Sequence, residues 1–377
     1  MVYLDYAANT PVDLEVLDLF YDVTKRYYGN PNSVHQVGRE SKMQIDKATE
    51  RIADLLGVLK EEIIYTSGAT ESNNLAIKGI CERYKNYGKH IILSSLEHNS
   101  IISSANIMQE AGFDVDLIPI NKDGLVDIDA LKSMIREDTI LVSVCSVDSE
   151  IGLIQPIKEI GELLKDYPHT YFHTDATQAI GKVDMDFSNA DLITIAPHKF
   201  YGLNGIGILI KKKGVNLKPI IHGGRSTTVF RSGTPIVSDI VASSFALEKA
   251  IKNQEKRYEY VSKLNKIVRE FLEEYSFIHI NNTSKCIPFT LNFSINGVNA
   301  RDFVDMLDKK GVCVSAKTSC CPLETPSKLV YALTKDKKLA SSSVRVSFSH
   351  LTKMEDIDIF KDVFKECIKE LKENGKI

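Results

Sequence analysis

Two polar residues stand where short apolar runs end. His173-Thr174-Asp175-Ala176-Thr177-Gln178 closes a run that begins at Tyr171, and Ala196-Pro197-His198-Lys199 follows the apolar residues 191–195. Such runs read as strands, and parallel sheets put their ligands outside the carboxyl ends of their strands. An isolated Asp or Lys at a strand end is most often an ordinary polar residue. An amine and a carboxylate at neighbouring strand ends together have a specific use with pyridoxal 5'-phosphate. The amine forms an imine with the aldehyde, and the carboxylate keeps the pyridine nitrogen protonated so that the ring accepts the electrons of a substrate carbanion.

Further chemistry lies at other strand ends. Thr66-Ser67-Gly68-Ala69-Thr70-Glu71-Ser72-Asn73-Asn74 follows one apolar run and opens a helical pattern, which suits an anion cradle of hydroxyls and free amides. A plain helix cap by Ser67 or Thr70 accounts for the same pattern. His98, in Ser94-Ser95-Leu96-Glu97-His98-Asn99, stands just past another strand, where an imidazole can stack on a ring and move protons. By itself it is a lone polar residue. Of seven cysteines, Cys320 and Cys321 lie in a polar stretch beside Lys317, where a cation favours the thiolate. Cys81, Cys145, Cys286, Cys313 and Cys367 sit in apolar patterns and read as small buried hydrophobes without a role. The odd number and the lack of Cys-x-x-Cys pairs argue against disulfides or structural zinc and for a reducing compartment.

Short apolar, β-branched runs alternate with amphipathic stretches: 63–66, a helix over 70–84, then 91–94, 115–120, 139–147, 171–174, 191–195 and 206–210. That alternation predicts a helix-covered, mainly parallel sheet. From Pro235 a helical pattern without proline or glycine runs to about Tyr275, and an α+β character follows, with strands at 289–295, 312–315 and 344–348 and helices at 300–310 and the C-terminus. A chain of 377 residues exceeds one ordinary core. The expected division is a large domain over 14–255 and a small domain from 1–13 and 256–377. A net charge of −3 gives no nucleic-acid footprint, and no apolar run approaches the roughly 18 residues of a membrane span. The acidic, tyrosine-containing start is no signal peptide, so a soluble, cytoplasmic protein is expected.

The ordered set Tyr3-Leu4-Asp5-Tyr6-Ala7-Ala8, Gly29-Asn30-Pro31-Asn32-Ser33, the cradle, Glu97-His98, Glu150-Ile151-Gly152, Asp175-Ala176-Thr177-Gln178, His198-Lys199, His222-Gly223-Gly224, Arg231-Ser232-Gly233-Thr234 and Ser343-Val344-Arg345 resembles the cysteine desulfurases of the class V aminotransferase superfamily. The resemblance spans essentially the whole chain. It implies the fold-type-I architecture of pyridoxal-phosphate enzymes, with a mainly parallel seven-stranded sheet, a smaller α+β domain and a homodimer whose cofactor lies at the subunit and domain interface. It implies that Lys199 carries the cofactor, Asp175 pairs with the pyridine nitrogen, Gln178 bonds the phenolic oxygen and His98 stacks on the ring. Ala69, Thr70 and His198 would hold the phosphate, joined by Thr234 of the partner subunit. Arg345 would take the substrate carboxylate, with Asn32 also on the substrate side. Lys199 and His98 would carry protons.

The implied reaction turns L-cysteine into L-alanine and leaves sulfur as a persulfide on a loop cysteine, for delivery to an acceptor protein in work such as iron-sulfur cluster assembly. Counting forward from Val314-Ser315 puts Cys320 on the family's nucleophile position; counting back from Pro326-Ser327 leaves Cys321 open. Two positions depart from the family pattern. Ser149 replaces an asparagine that reaches the phenolic oxygen, and Ala196 replaces a phosphate-binding serine, so that Ser67 or Ser226 would have to compensate. These departures keep three rivals in view: a selenocysteine lyase or other β-eliminating lyase, a non-catalytic sulfur-relay or regulatory paralogue, and a plain aminotransferase.

Overall fold

The computed structural model describes residues 1–224, 226–317 and 325–377. Seven strands form one sheet in the order Ile63–Thr66, Gly207–Lys211, Leu192–Ile195, Tyr171–Asp175, Thr139–Ser143, His90–Ser94 and Asp114–Ile118. Neighbours run parallel except at Gly207–Lys211, which is antiparallel to both of its neighbours. The inner strands are apolar on both faces because helices cover both, whereas the edge strand Asp114–Ile118 is largely exposed. Ile91 and Leu93 pack with Leu75 and Ile80 of helix Ala69–Tyr84, whereas Ile92, one residue out of phase, joins the opposite core with Ile157 and Ala246. The mainly parallel sheet expected from the alternation is thus present.

Two local expectations are corrected. The strand predicted over 139–147 ends at Ser143, and the Cys145 N–H beyond it is taken by the Glu97 carboxyl oxygen at 2.6 Å. The long helix predicted from Pro235 to Tyr275 is two helices, Val237–Lys252 and Gln254–Glu273. Asn253 breaks it without help from proline or glycine. Its side-chain amide and its backbone N–H both donate to the Lys249 carbonyl, at 2.8 and 3.2 Å.

A second, antiparallel sheet joins Ser343–Ser347, Thr290–Ile295 and Ile278–Ile280. Val344 and Val346 enter the core beside Phe293 and Phe364, so the alternation of the strand turns Arg345 to the other face. The chain start is woven into this region: Val2–Tyr3 pairs in parallel with Val312–Cys313, and Asp5 bridges Ser347. That pairing carries Ala7 and Ala8 to the edge of the large sheet. Among the described residues no helix is long and apolar enough to cross a membrane.

Candidate active site

The strands that end at Thr66, Ser94, Ser143, Asp175 and Ile195 deliver their following loops to one sheet edge. Those loops enclose a cavity of about 350 Å³. Lys199 enters it from a short 3-10 turn, Pro197–Lys199. Its Nζ donates to the carbonyls of Ala7 at 2.8 Å and Ala8 at 2.6 Å. Thr10 ties the same turn to the chain start, donating its hydroxyl to the His198 carbonyl at 2.9 Å. Burial, with Lys199 and Lys182 adding their charge, pushes the His198 imidazole down to about 4.

Asp175 ends its strand buried and accepts from Thr177 N at 2.9 Å and from Asn73 Nδ2 at 2.8 Å. The other N–H of Asn73 reaches Ser100 Oγ at 2.9 Å. Ser100 in turn lies against His98: its backbone N–H donates to Nδ1 at 3.2 Å, and its hydroxyl is 2.9 Å from the same atom. Nδ1 is therefore the acceptor, and the neutral ring carries its proton on Nε2. Burial is the main cause that lowers the His98 pKa below the ordinary value; Lys199 lowers it further, while Asp175 and Glu150 oppose.

The cradle has the geometry of an open helix end. Gly68 occupies the cap position of Ala69–Tyr84 and no side chain caps the first amides, which corrects the reading of Ser67 or Thr70 as a plain cap. Glu71, at the first turn, lines the cavity but is bonded by Ser67 N at 2.7 Å and by Arg231, which grips it with Nε at 2.8 Å and Nη2 at 3.2 Å. The carboxylate that would repel an anion here is thereby paired. Gly207 makes the close approach possible, since a Cβ on it would lie 2.5 Å from the Gly68 carbonyl carbon.

Arg345 is almost wholly buried. It donates from Nη1 to the Ser149 carbonyl and from Nη2 to Asp5 Oδ1, both at 2.7 Å. Its Nε has no partner among the described residues. Gln178 donates from Nε2 to the Ala7 carbonyl at 2.9 Å, and its Oε1 accepts from Lys182 Nζ.

The Aminotransferase class-V family matches residues 2–360. A protein of Dictyoglomus turgidum named cysteine desulfurase IscS is 38% identical over 376 residues, covering 98% of this chain and 95% of that protein. The chain belongs to the cysteine desulfurases of the class V aminotransferase family. Solved structures agree. A NifS-like protein superposes with a TM-score of 0.93 at 31% identity, covering 98% of this chain and all of that one. The structure described as SspA in complex with cysteine gives a TM-score of 0.82 at 30% identity, covering 92% of this chain and 99% of that one.

Of the residues singled out in sequence, Lys199, Asp175, Gln178, His98, Ala69, Thr70, Ser149, His198 and Arg345 line this one cavity. Asn32 and Thr234 do not line it within one chain; Asn32 is exposed and lies 3.4 Å from Ser226. Of the two serines expected to replace the donor lost at Ala196, Ser67 lines the cavity and Ser226 does not. Cys320 and Cys321 lie outside the described residues. Cys145, read as an apolar filler, is buried but also forms cavity wall, and burial holds its thiol protonated. Cys286 and Cys313, also expected to be buried, are only partly so, because one lies in a loop and the other on a two-residue strand. Sequence reading assigned no role to Asp5 and Asn73, although both stood inside quoted motifs, and it passed over Lys182 altogether.

Proposed function

We propose that this enzyme converts L-cysteine to L-alanine and moves the sulfur to its own loop cysteine as a persulfide, using pyridoxal 5'-phosphate held around Lys199. The observation that carries the reading is that an amine, Lys199, and a buried guanidinium, Arg345, open onto the same cavity. An α-amino acid gripped there by its carboxylate brings its own amine toward Lys199. The donor set fits the cofactor. The uncapped helix end at Gly68 suits a phosphate, Asp175 suits a pyridinium, and the buried Thr177 hydroxyl lines the cavity without a partner among the described residues.

When bound, the cofactor supplies an electron sink that acidifies the substrate's Cα. The chain's own residues do the rest. The carbonyls of Ala7 and Ala8 fix the Lys199 amine, Arg345 orients the substrate, and Lys199 and His98 move protons at Cα and Cβ. The thiolate of Cys320, or of Cys321, attacks the cysteine sulfur. The new S–S bond forms as the C–S bond breaks, its electron pair stays with carbon, and protonation of that carbon yields alanine.

A homodimer belongs to the proposal, supported by Asn32 and Thr234, which do not line the Lys199 cavity within one chain, and by the exposed Leu14, Leu17 and Tyr21 on one helix. So does the division into 14–255 against 1–13 with 256–377, supported by the pairing of the chain start with Val312–Cys313. The persulfide would pass to an acceptor protein in the cytoplasm, a setting supported by the unpaired thiols among the described residues. The test is mass spectrometry of the protein after incubation with L-cysteine while alanine is assayed. The expected result is alanine together with a one-sulfur adduct on Cys320 or Cys321. Absence of both would overturn the reading, and pyruvate, ammonia and sulfide in place of alanine would transfer it to direct β-elimination.

A further inference from the structure

Lys182 is a buried lysine that the proposed reaction does not use. It lies four residues beyond Gln178, is 8% exposed, and its Nζ donates to Gln178 Oε1. An ammonium or amine nitrogen in such a place needs a reason, since taking it out of water is costly. Burial first, then the charges of Lys199 and Arg345, push the Lys182 amine down to about 7.

The reason lies in the symmetry of an amide. The oxygen and nitrogen of Gln178 have nearly the same shape, and only their partners decide which way the group faces. The Ala7 carbonyl can only accept, so it calls for nitrogen; Lys182 Nζ donates, so it calls for oxygen. The Ala7 carbonyl also takes the Lys199 amine at 2.8 Å, so its preference for the Gln178 N–H is shared. With Nε2 fixed, one N–H is spent on Ala7 and the second remains for the cavity that Gln178 lines.

We propose that Lys182 is a positioning residue that locks the Gln178 carboxamide with its N–H toward the cavity, where it meets an anionic oxygen of the bound cofactor. This rests on the reading that the cavity holds pyridoxal 5'-phosphate. A flipped amide would present a carbonyl oxygen to that anion and repel it. The phenolic oxygen is the group concerned, and its charged form is favoured by a donated hydrogen bond.

The experiment is the pH titration of the visible absorbance of the cofactor-loaded protein in Lys182→Met, Lys182→Gln, Gln178→Ala and the Lys182→Met/Gln178→Ala double variant. Lys182→Met is expected to move the transition upward by roughly one pH unit, with little further movement when added to Gln178→Ala. Lys182→Gln keeps a neutral N–H donor and is expected to restore most of the wild-type position. An equal shift from Lys182→Met in both backgrounds would make its effect a through-space charge and overturn the proposal, as would no shift at all. If Lys182→Met does not fold, neutron diffraction from the wild-type holoenzyme decides: Gln178 Oε1 facing the ring overturns the proposal, and Nε2 facing it sustains it. Failure of the underlying cofactor reading would show separately, as wild-type protein with no visible absorbance after incubation with pyridoxal 5'-phosphate.

Discussion

Arg345 Nη2 donates to Asp5 Oδ1 at 2.7 Å, joining the start of the chain to a strand 340 residues later. Ser315 Oγ donates to the other oxygen of Asp5 at 2.9 Å, so Asp5 also fixes the chain just after the strand Val312–Cys313. The Ser149 carbonyl pins the guanidinium from its other end, which leaves Nε and the second hydrogen of each terminal nitrogen for a substrate carboxylate. Arg345→Lys keeps the charge and loses the fork. It should raise KM for L-cysteine about 10- to 100-fold, the worth of a charge-assisted hydrogen bond, with a much smaller change in kcat. Steady-state kinetics checks this; an equal loss confined to kcat would contradict the assignment.

The Asn73 amide links Asp175 to the histidine side of the cavity, donating to Asp175 with one N–H and to Ser100, the partner of His98, with the other. His98→Ala should lower kcat about 10²- to 10⁴-fold, the usual range for losing a general acid or base. Asn73→Ala, which frees the ring without removing it, should fall between that variant and the wild type. Because burial lowers the His98 pKa, the neutral ring persists into acid, and activity should be lost only as pH falls below the ordinary histidine value of 6.5. A pH–kcat profile with its acidic limb above that value would count against His98 as the proton carrier.

What could be read in sequence was what is local. Asp175 and Lys199 announced themselves because a strand end is a local pattern, and the cradle because a glycine and hydroxyls sit together where a helix starts. Arg345 was legible only through the family resemblance of Ser343-Val344-Arg345. Lys182 was not, because its burial comes from tertiary packing around a turn that has no signature of its own. Asp5 and Asn73 were visible as letters in a motif, but their tasks depend on partners 340 and 102 residues away. The break at Asn253 was missed for a different reason: asparagine is only a mild helix breaker, and no proline or glycine marks the position.

Gly207 supports the cradle by being small. In its strand it stands opposite Thr66, and a Cβ there would lie 2.6 Å from Thr66 Oγ1 as well as 2.5 Å from the Gly68 carbonyl carbon. Both neighbours belong to the turn that sets the open amides of the following helix, so neither can move without moving the cradle. Gly207→Ala should cost about 1–3 kcal/mol in stability from overpacking. It should also weaken binding of pyridoxal 5'-phosphate about 10-fold or more, since a phosphate held by backbone amides depends on their placement. Urea denaturation and a fluorescence titration of the cofactor-free protein measure the two effects, and unchanged affinity would separate the cradle from phosphate binding.

Glu97 carries a carboxyl that burial raises to about 8, with the Asp175 charge adding and the bonds from Ser94 and the Cys145 amide opposing. The folded protein therefore keeps this group protonated over a span in which the unfolded chain, with an ordinary value of 4.5, has already released it. Its contribution to stability is full below about 4.5 and is lost as pH rises through about 8. His173 and His198, both lowered to about 4 by burial, and Lys182, lowered to about 7, titrate in overlapping spans, so the wild-type curve alone does not isolate Glu97. Comparison with Glu97→Gln does, because the other groups are common to both proteins and glutamine does not titrate. Urea denaturation of the cofactor-free proteins should show the variant gaining on the wild type steadily between about pH 4.5 and 8 and holding a constant difference above that range. A difference that stays flat across the span would mean that Glu97 is ionised in the fold, with its charge met by a partner in place of a proton.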